Sequence, residues 1–369
     1  MIPPVMPTPL RILDANANRA REALRVLEDA ARFLLDDSQL SSQFKQLRHD
    51  LAAALAPFPD LPLHRDTPHD VGTRITTPSE SHRPNIASVT TAAGKRLTEA
   101  LRTLEEFAKL PKAVALQGYG SASPLQRAGS LGTQFESLRY RAYILESAIH
   151  RRFALPDPRK WKLCVLVTES LCTHHPWFDV AQAALDAGAD CIQLREKNIE
   201  SADLLDRARR LVELIASFND AIPSRAAIIN DRIDIALASN AHGVHLGQSD
   251  LPIAHARNIA GHRLLIGVST HNLTEARHAA KQQADYLGVG AMFPTSTKNR
   301  KPTGPRYLRQ FLKQFPDLPH LAIGGITPDN IHELVNAGVR AVAVSSCVCN
   351  VKSLPEVARI TRRLRRAIP

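Results

Sequence analysis

Eight short apolar runs, most of them ending in polar residues and separated by helix-like stretches, constrain the C-terminal part of this chain more than any other feature. The runs are Leu163–Thr168, Cys191–Arg195, Ala227–Asn230, Gly243–Leu246, Leu264–Ser269, Tyr286–Gly290, Leu321–Ile323 and Ala341–Ser345. Between them, stretches such as Asp203–Ser217, Asn272–Gln283 and Asn330–Ala337 space their apolar residues as helices do. Strand and helix alternating in this way over about 210 residues predict an α/β fold, a closed phosphate-binding (β/α)8 barrel. An open doubly wound sheet is the alternative, but it usually has fewer strands and a Gly-rich first turn, which this chain lacks.

The preceding part has a different grammar. Leu24, Leu27, Ala31 and Leu34 recur at helical spacing, as do Leu97, Leu101, Leu104 and Ala108. A polar, Pro-containing stretch at Pro57–Pro84 interrupts the helices, and Gln117–Pro124 reads as a linker. Pro156-Asp157-Pro158 stops the last helix. The expected organisation is an all-α helical domain over 1–155 followed by the barrel over 156–369. A chain of 369 residues is longer than one core usually supports.

Composition narrows the partners. A formal net charge of +11 favours anionic ligands. Aromatics are only 5% and no helix-turn-helix or zinc-finger spacing occurs, so phosphorylated small molecules are expected rather than nucleic acid. No run approaches the ~18 apolar residues of a membrane span, and the start lacks a signal-peptide core. The expectation is a cytoplasmic protein with no membrane partner. Cys164, Cys172, Cys191, Cys347 and Cys349 are odd in number and contain no C-x-x-C, which predicts reduced, mostly buried thiols. Arg362, Arg363, Arg365 and Arg366 read as the solvated face of a terminal helix.

A barrel of this kind carries its chemistry at the C-terminal ends of its strands, and the polar outliers fall there. Strand two ends in Gln193, Arg195, Glu196 and Lys197, strand three in Asn230-Asp231, and strand four in Gly247-Gln248-Ser249-Asp250. Ser269-Thr270-His271, Pro294-Thr295-Ser296-Thr297-Lys298, Gly324-Gly325 and Ser345-Ser346 follow on strands five to eight. Arg195, Lys197 and Lys298 supply positive charge. Asp231 and Asp250 suit a hard divalent cation that takes one or two carboxylates and fills its remaining positions from phosphate and water; for Asp231 the competing role is a helix cap. Gly324-Gly325 beside Ser345-Ser346 reads as a second anion site built on main-chain N–H groups. The pattern is bipartite: a diphosphate with metal, and a monophosphate without. His242 and His245 lie three apart on one strand, face opposite ways and cannot share a metal.

These residues resemble the thiamine phosphate synthase family. The resemblance is carried by CIQLREK at 191–197, INDRIDIAL at 229–237, HGVHLGQSD at 242–250, GVSTHN at 267–272, GVGAMFPTSTK at 288–298 and IGGITPDN at 323–330. It implies that 4-amino-2-methyl-5-hydroxymethylpyrimidine diphosphate and a thiazole phosphate are joined with Mg2+ as cofactor. By position, Gln193 and Ser269 would hold the pyrimidine, and Arg195, Lys197, Asn230 and Lys298 the diphosphate. Mg2+ would sit on Asp231 and Asp250; Thr295, Ser296, Thr297, Gly325, Ser345 and Ser346 would serve the thiazole phosphate. Ala291-Met292 departs from the Pro-aliphatic pair expected after GVG. Two other functions are open to such a barrel, an isomerase of the thiazole phosphate alone and a non-catalytic sensor of thiamine precursors.

The helical half contains an internal echo. Arg19, Glu22, Leu24, Arg25, Leu27 and Glu28 recur as Arg96, Glu99, Leu101, Arg102, Leu104 and Glu105. The repeated Glu22/Arg25 and Glu99/Arg102 read either as i,i+3 ion pairs bracing two helices or as a pseudo-symmetric polar site. Runs at 11–33, 48–51, 69–73 and 95–110 resemble a hydroxymethylpyrimidine-phosphate kinase-like domain often fused to thiamine phosphate synthases, which implies ATP as a partner. The residues themselves contain no P-loop. Arg65, His69, Asp70 and Lys95 are candidates for that site, with surface and capping roles equally open.

Overall fold

A computed structural model describes residues 9–71, 83–110, 124–220, 222–295 and 302–369, with side chains of 124–129 excepted. The chain divides into two compact units, Met1–Phe153 and Ala154–Pro369.

The second unit is a closed barrel of eight parallel strands in sequential order. The strands are β1 Leu163–Val167, β2 Cys191–Leu194, β3 Ala226–Asn230, β4 Gly243–Leu246, β5 Leu265–Thr270, β6 Tyr286–Gly290, β7 His320–Ile323 and β8 Val342–Val344. All eight expected runs become strands, shifted by no more than two residues at either end. Closure pairs Leu163 of β1 with Val342 of β8. Strand residues are buried on both faces, as parallel sheets covered by helices require. Alternation sends Leu163, Val165 and Val167 outward to the helix layer, and Cys164 and Leu166 inward. The interior is plugged by Trp161 and Tyr286, whose rings meet edge to face at 5.3 Å. Gly267 makes room for that plug, because a Cβ there would overlap the Tyr286 ring. All five cysteines are free and four are buried, Cys347 being half-buried. His242 faces away from the interior and accepts from the Ala227 N–H at 3.1 Å.

Among the described residues the helical unit has four long helices: α1 Pro9–Asp29, α2 Ser38–Leu55, α3 Ile86–Ala108 and α4 Pro124–Ala154. Asp37 caps α2 by accepting from the Leu40 N–H, and Asn85 with Ser88 closes a capping box on α3. The predicted linker at 117–124 lies almost wholly outside the described residues. The echo between α1 and α3 extends to the other two helices. Gln43-Phe44 and Leu47-Arg48 of α2 match Gln134-Phe135 and Leu138-Arg139 of α4. Leu40, Phe44, Leu47, Leu51 and Ala54 are buried, and so are their counterparts Leu131, Phe135, Leu138, Ala142 and Leu145. The unit is therefore a helical hairpin repeated once. In each copy, a buried glutamate of the first helix takes an arginine of the second: Glu28 from Arg48 at 3.0 Å, Glu105 from Arg139 at 2.8 Å. Arg25 meets Glu28 at 3.8 Å, and Arg102 meets Glu105 at 2.7 Å and Glu106 at 3.0 Å; neither pairs with the exposed Glu22 or Glu99. That corrects the expected pairing: the acid three residues after each arginine points inward, whereas the acid three residues before points to water.

Candidate active site at the barrel mouth

A cavity of about 270 Å³ opens among the C-terminal ends of the strands. Gln193, Arg195, Asn230 and Ser269 line one side, and Thr295, Gly325, Ser345 and Ser346 the other. Six of the eight strand ends deliver side chains chosen from sequence and a seventh delivers Gly325, and eight of the chosen residues share this one space. Lys197, Asp231 and Asp250 gather beyond its lining. Ser296, Thr297 and Lys298 lie outside the described residues.

The segment Arg195-Glu196-Lys197 is pinned residue by residue. The Arg195 N–H donates to Val167 O at 2.9 Å, and its carbonyl accepts from the Thr168 hydroxyl at 2.8 Å. Glu196 accepts from the Glu169 N–H at 2.8 Å and from Arg207 at 3.2 Å. Lys197 Nζ meets Asp231 Oδ2 at 2.9 Å. Asp231 has φ +62°, and the Arg232 N–H bonds back to Asn230 O at 2.8 Å, closing a tight turn around it. A non-glycine residue in that region stores on the order of 1–3 kcal/mol, and such strain concentrates at functional sites. Burial and the neighbouring Asp231 carboxylate push the Asp250 carboxyl above the usual range, although the Gly247 N–H and Lys197 act the other way. Two carboxylates this close, one with its pKa raised by the other, fit a divalent cation that takes two protein oxygens and draws the rest from phosphate and water. Among the described residues no three His, Cys, Asp or Glu side chains cluster to hold a metal by themselves. Asn230 is buried and its Nδ2 finds no partner among the described residues, leaving a donor beside the cavity.

A relay that sequence reasoning missed reaches the cavity from below. Tyr286 Oη lies 3.2 Å from His245 Nδ1, and His245 Nε2 lies 2.9 Å from Ser269 Oγ. Burial raises the Tyr286 hydroxyl far above its ordinary pKa, so it stays protonated and can serve as the donor to Nδ1. In that tautomer the imidazole proton is on Nε2 and donates to Ser269, which leaves the serine hydroxyl proton for a ligand. His245 was set aside because its spacing to His242 excluded a metal; only its inward orientation could have marked it.

On the far side, Gly324 and Gly325 have φ of +105° and +64°. A Cβ on Gly324 would come within 2.6 Å of Ala291 Cβ, and one on Gly325 would strike Pro294 O. Asn330 fixes this turn, donating to Gly325 O at 2.8 Å and accepting from the Thr327 N–H at 2.9 Å. The Ser345 hydroxyl donates to Leu166 O at 2.9 Å, so what Ser345 leaves open to a ligand is main chain. Ala291 lines the cavity and Met292 is buried, so the sequence departure there leaves the charges of the mouth unchanged.

Fold and mouth together define a barrel enzyme of the phosphate-binding class. Residues 163–348 match the family model described as thiamine monophosphate synthase, and residues 11–148 match the ThiD2 family. A thiamine-phosphate synthase of Rhodopirellula baltica is 38% identical, the match covering 98% of this chain and 94% of that one. One from Synechocystis is 39% identical over 90% of each chain. The solved thiamine phosphate pyrophosphorylase of Pyrococcus furiosus is 35% identical, covering 57% of this chain and 96% of that one with a TM-score of 0.51. The chain belongs to the thiamine-phosphate synthase family and is an enzyme of thiamine biosynthesis. No helix among the described residues is long and apolar enough to cross a membrane.

Proposed function

We propose that the barrel forms thiamine phosphate by displacing diphosphate from 4-amino-2-methyl-5-hydroxymethylpyrimidine diphosphate with a thiazole phosphate. The observation that carries this reading is the division of one cavity into a cationic side, with a carboxylate pair at its rim, and a Gly-Gly/Ser-Ser side. Gln193 and Ser269 hold the pyrimidine; Arg195, Lys197 and Asn230, with Lys298, hold the diphosphate. Gly325, Ser345 and Thr295, with Ser346, Ser296 and Thr297, take the thiazole phosphate. Asp231 and Asp250 would hold Mg2+, which supplies charge to stabilise the departing diphosphate. The bond from the pyrimidine's exocyclic carbon to the diphosphate oxygen breaks with both electrons on oxygen, helped by electron release from the 4-amino group. The thiazole nitrogen lone pair forms the new C–N bond, so no general base is needed. Arg195 stabilises the charge that develops on the leaving oxygen. The retained cations and carboxylates favour this reaction over an isomerase or a sensor.

Purified protein with both phosphorylated substrates and Mg2+ should release thiamine phosphate. Arg195→Ala should stay folded and lose about 10²–10³ in kcat, the usual cost of one fixed electrostatic donor. Near-normal turnover in that variant would remove the diphosphate assignment. For the helical unit the reading is phosphoryl transfer from ATP to the pyrimidine monophosphate. A phosphate oxygen of the acceptor forms the new P–O bond while ADP leaves with the electrons of the broken one. Its support is the family resemblance and the chemical fit of its product to the barrel. ADP release on adding ATP, Mg2+ and the pyrimidine monophosphate tests it.

A further inference from the structure

The repeated hairpin gives the helical unit an internal control. From Arg19 and Arg96 onward the two copies keep the same core: Leu24, Leu27 and Glu28 are buried, and so are Leu101, Leu104 and Glu105. Upstream they diverge. Asp14, Asn16 and Asn18 of α1 stand where α3 has Thr91, Ala93 and Lys95. On α3 the packing is met without charge: Ala93 is buried and apolar, and the Thr91 hydroxyl donates to Ala87 O at 2.8 Å. At the same places α1 buries the Asp14 carboxylate, 3% exposed, and Asn16, 6% exposed. Sinking a carboxylate costs several kcal/mol unless it is well paired. Since the second copy shows that the fold does not need it, the charge calls for another reason.

Its surroundings supply one. Arg65, from the loop after the short 3-10 turn Leu61–His64, grips Asp14 with Nε to Oδ2 and Nη2 to Oδ1, both at 2.9 Å. Asn18 donates to the same carboxylate at 3.2 Å. Next in the loop, Asp66 accepts His69 Nδ1 at 2.8 Å, and Arg11 of α1 donates to Asp66 O at 2.8 Å. Asp14 is buried and Asp66 half-buried beneath the cluster, while Arg65, 48% exposed, and His69, 71% exposed, keep a face in water. Fixed guanidinium forks backed by buried acids are the arrangement that recognises phosphate oxygens. Arg25 and Arg102, by contrast, end on the repeated internal glutamates and belong to the packing.

We propose that Arg65, braced by Asp14 and flanked by Arg11 and His69, binds a phosphate group of a reactant at the helical unit, a site built on the first hairpin only. The proposal rests on the phosphoryl-transfer reading above. The second copy dictates the test. In the full-length protein, Asp14→Thr, Asn16→Ala and Arg65→Ala together install on α1 the residue types that α3 tolerates and remove the arginine they held. This variant should melt no lower than the parent and make thiamine phosphate from preformed diphosphate at the parental rate. Its ADP release with the pyrimidine monophosphate should fall on the order of 10²-fold. Arg65→Lys, which keeps charge but loses the fork, should raise KM for one reactant only, ATP or the monophosphate, and so name whose phosphate is held. Unchanged ADP release in the triple variant would overturn the site while leaving the kinase reading intact. A melting temperature several degrees lower would overturn it too, by making the cluster a structural brace. A parent protein that releases no ADP would remove the reading and the site together.

Discussion

Tyr286→Phe isolates the relay under the barrel mouth. The substitution deletes one oxygen from a ring that is fully buried, so shape and packing against Trp161 persist. What is lost is the donor to His245 Nδ1 at 3.2 Å. A buried acceptor left unpaired costs about 1–3 kcal/mol. For a unit of this size each kcal/mol lowers Tm by roughly 2–4 °C, so the barrel transition should fall by several degrees. The effect on chemistry follows from the tautomer. Without the tyrosine proton the imidazole can place its own proton on Nδ1 and turn an acceptor toward Ser269. The serine hydroxyl then donates to His245 across 2.9 Å instead of to the ligand. Losing one hydrogen bond of about 1.4 kcal/mol corresponds to a tenfold weaker interaction. KM for the pyrimidine diphosphate should therefore rise about tenfold, with KM for the thiazole phosphate unmoved. Steady-state kinetics varying each substrate in turn, with a melting curve, measure both. Parental kinetics together with a parental Tm would refute the relay.

Two further outcomes are expected. Glu196→Ala removes the acceptor shared by the Glu169 N–H and Arg207, freeing the segment that carries Arg195 and Lys197; KM for the pyrimidine diphosphate should rise about tenfold, and Glu196→Gln, which still accepts the N–H, should recover much of it, whereas equal changes in both KM values would argue against a positioning role. Burial lowers the pKa of His242 and, with help from Arg340, of His320 to about 4, below the unfolded value near 6.5. Depressed folded values mean stability that is present above pH 6.5 and lost as pH falls toward 4. Melting curves across that window should show the loss, and a barrel transition that stays level from pH 7 to 4 would contradict it.

What was legible in the sequence tracks the range of the interactions involved. All eight strands could be read because each is a short apolar run, most of them closed by polar residues, a signal confined to three to six positions. The cavity residues could be read because a parallel barrel brings strand ends to one face, so order along the chain implies convergence in space. The relay could not. Tyr286 opens β6 and looked like an ordinary apolar start, and its tie to His245 spans 41 residues and depends on Gly267 lacking a side chain. The pairing of the repeated arginines was misjudged because Glu22 and Glu28 are equally spaced from Arg25, and only packing decides which of them points inward. The second echo, on α2 and α4, was hidden by the different spacing of the two hairpins: 20 residues separate Glu28 from Arg48, and 34 separate Glu105 from Arg139.

The rim of the barrel mouth carries nearly balanced charge, and that balance bears on how a charged substrate enters. Lys197 and Asp231 neutralise each other at 2.9 Å, with Asp231 held in a strained turn and the Asp250 carboxyl, its pKa raised by burial and by Asp231, beside it. Either partner becomes available to a ligand only when the other finds a replacement. A free diphosphate would give Lys197 a new partner but leave Asp231 and Asp250 as an uncompensated pair, facing an anion. A lone cation would satisfy the carboxylates and leave the ammonium facing positive charge. A diphosphate that brings its cation replaces both halves of the ion pair at once, so the exchange exposes no unpaired charge at any stage. A mouth lined with unopposed lysine and arginine would take up any anion, including the phosphate of the second substrate. On the proposed reading, the internal ion pair would turn that general attraction into a preference for an anion and a cation arriving together.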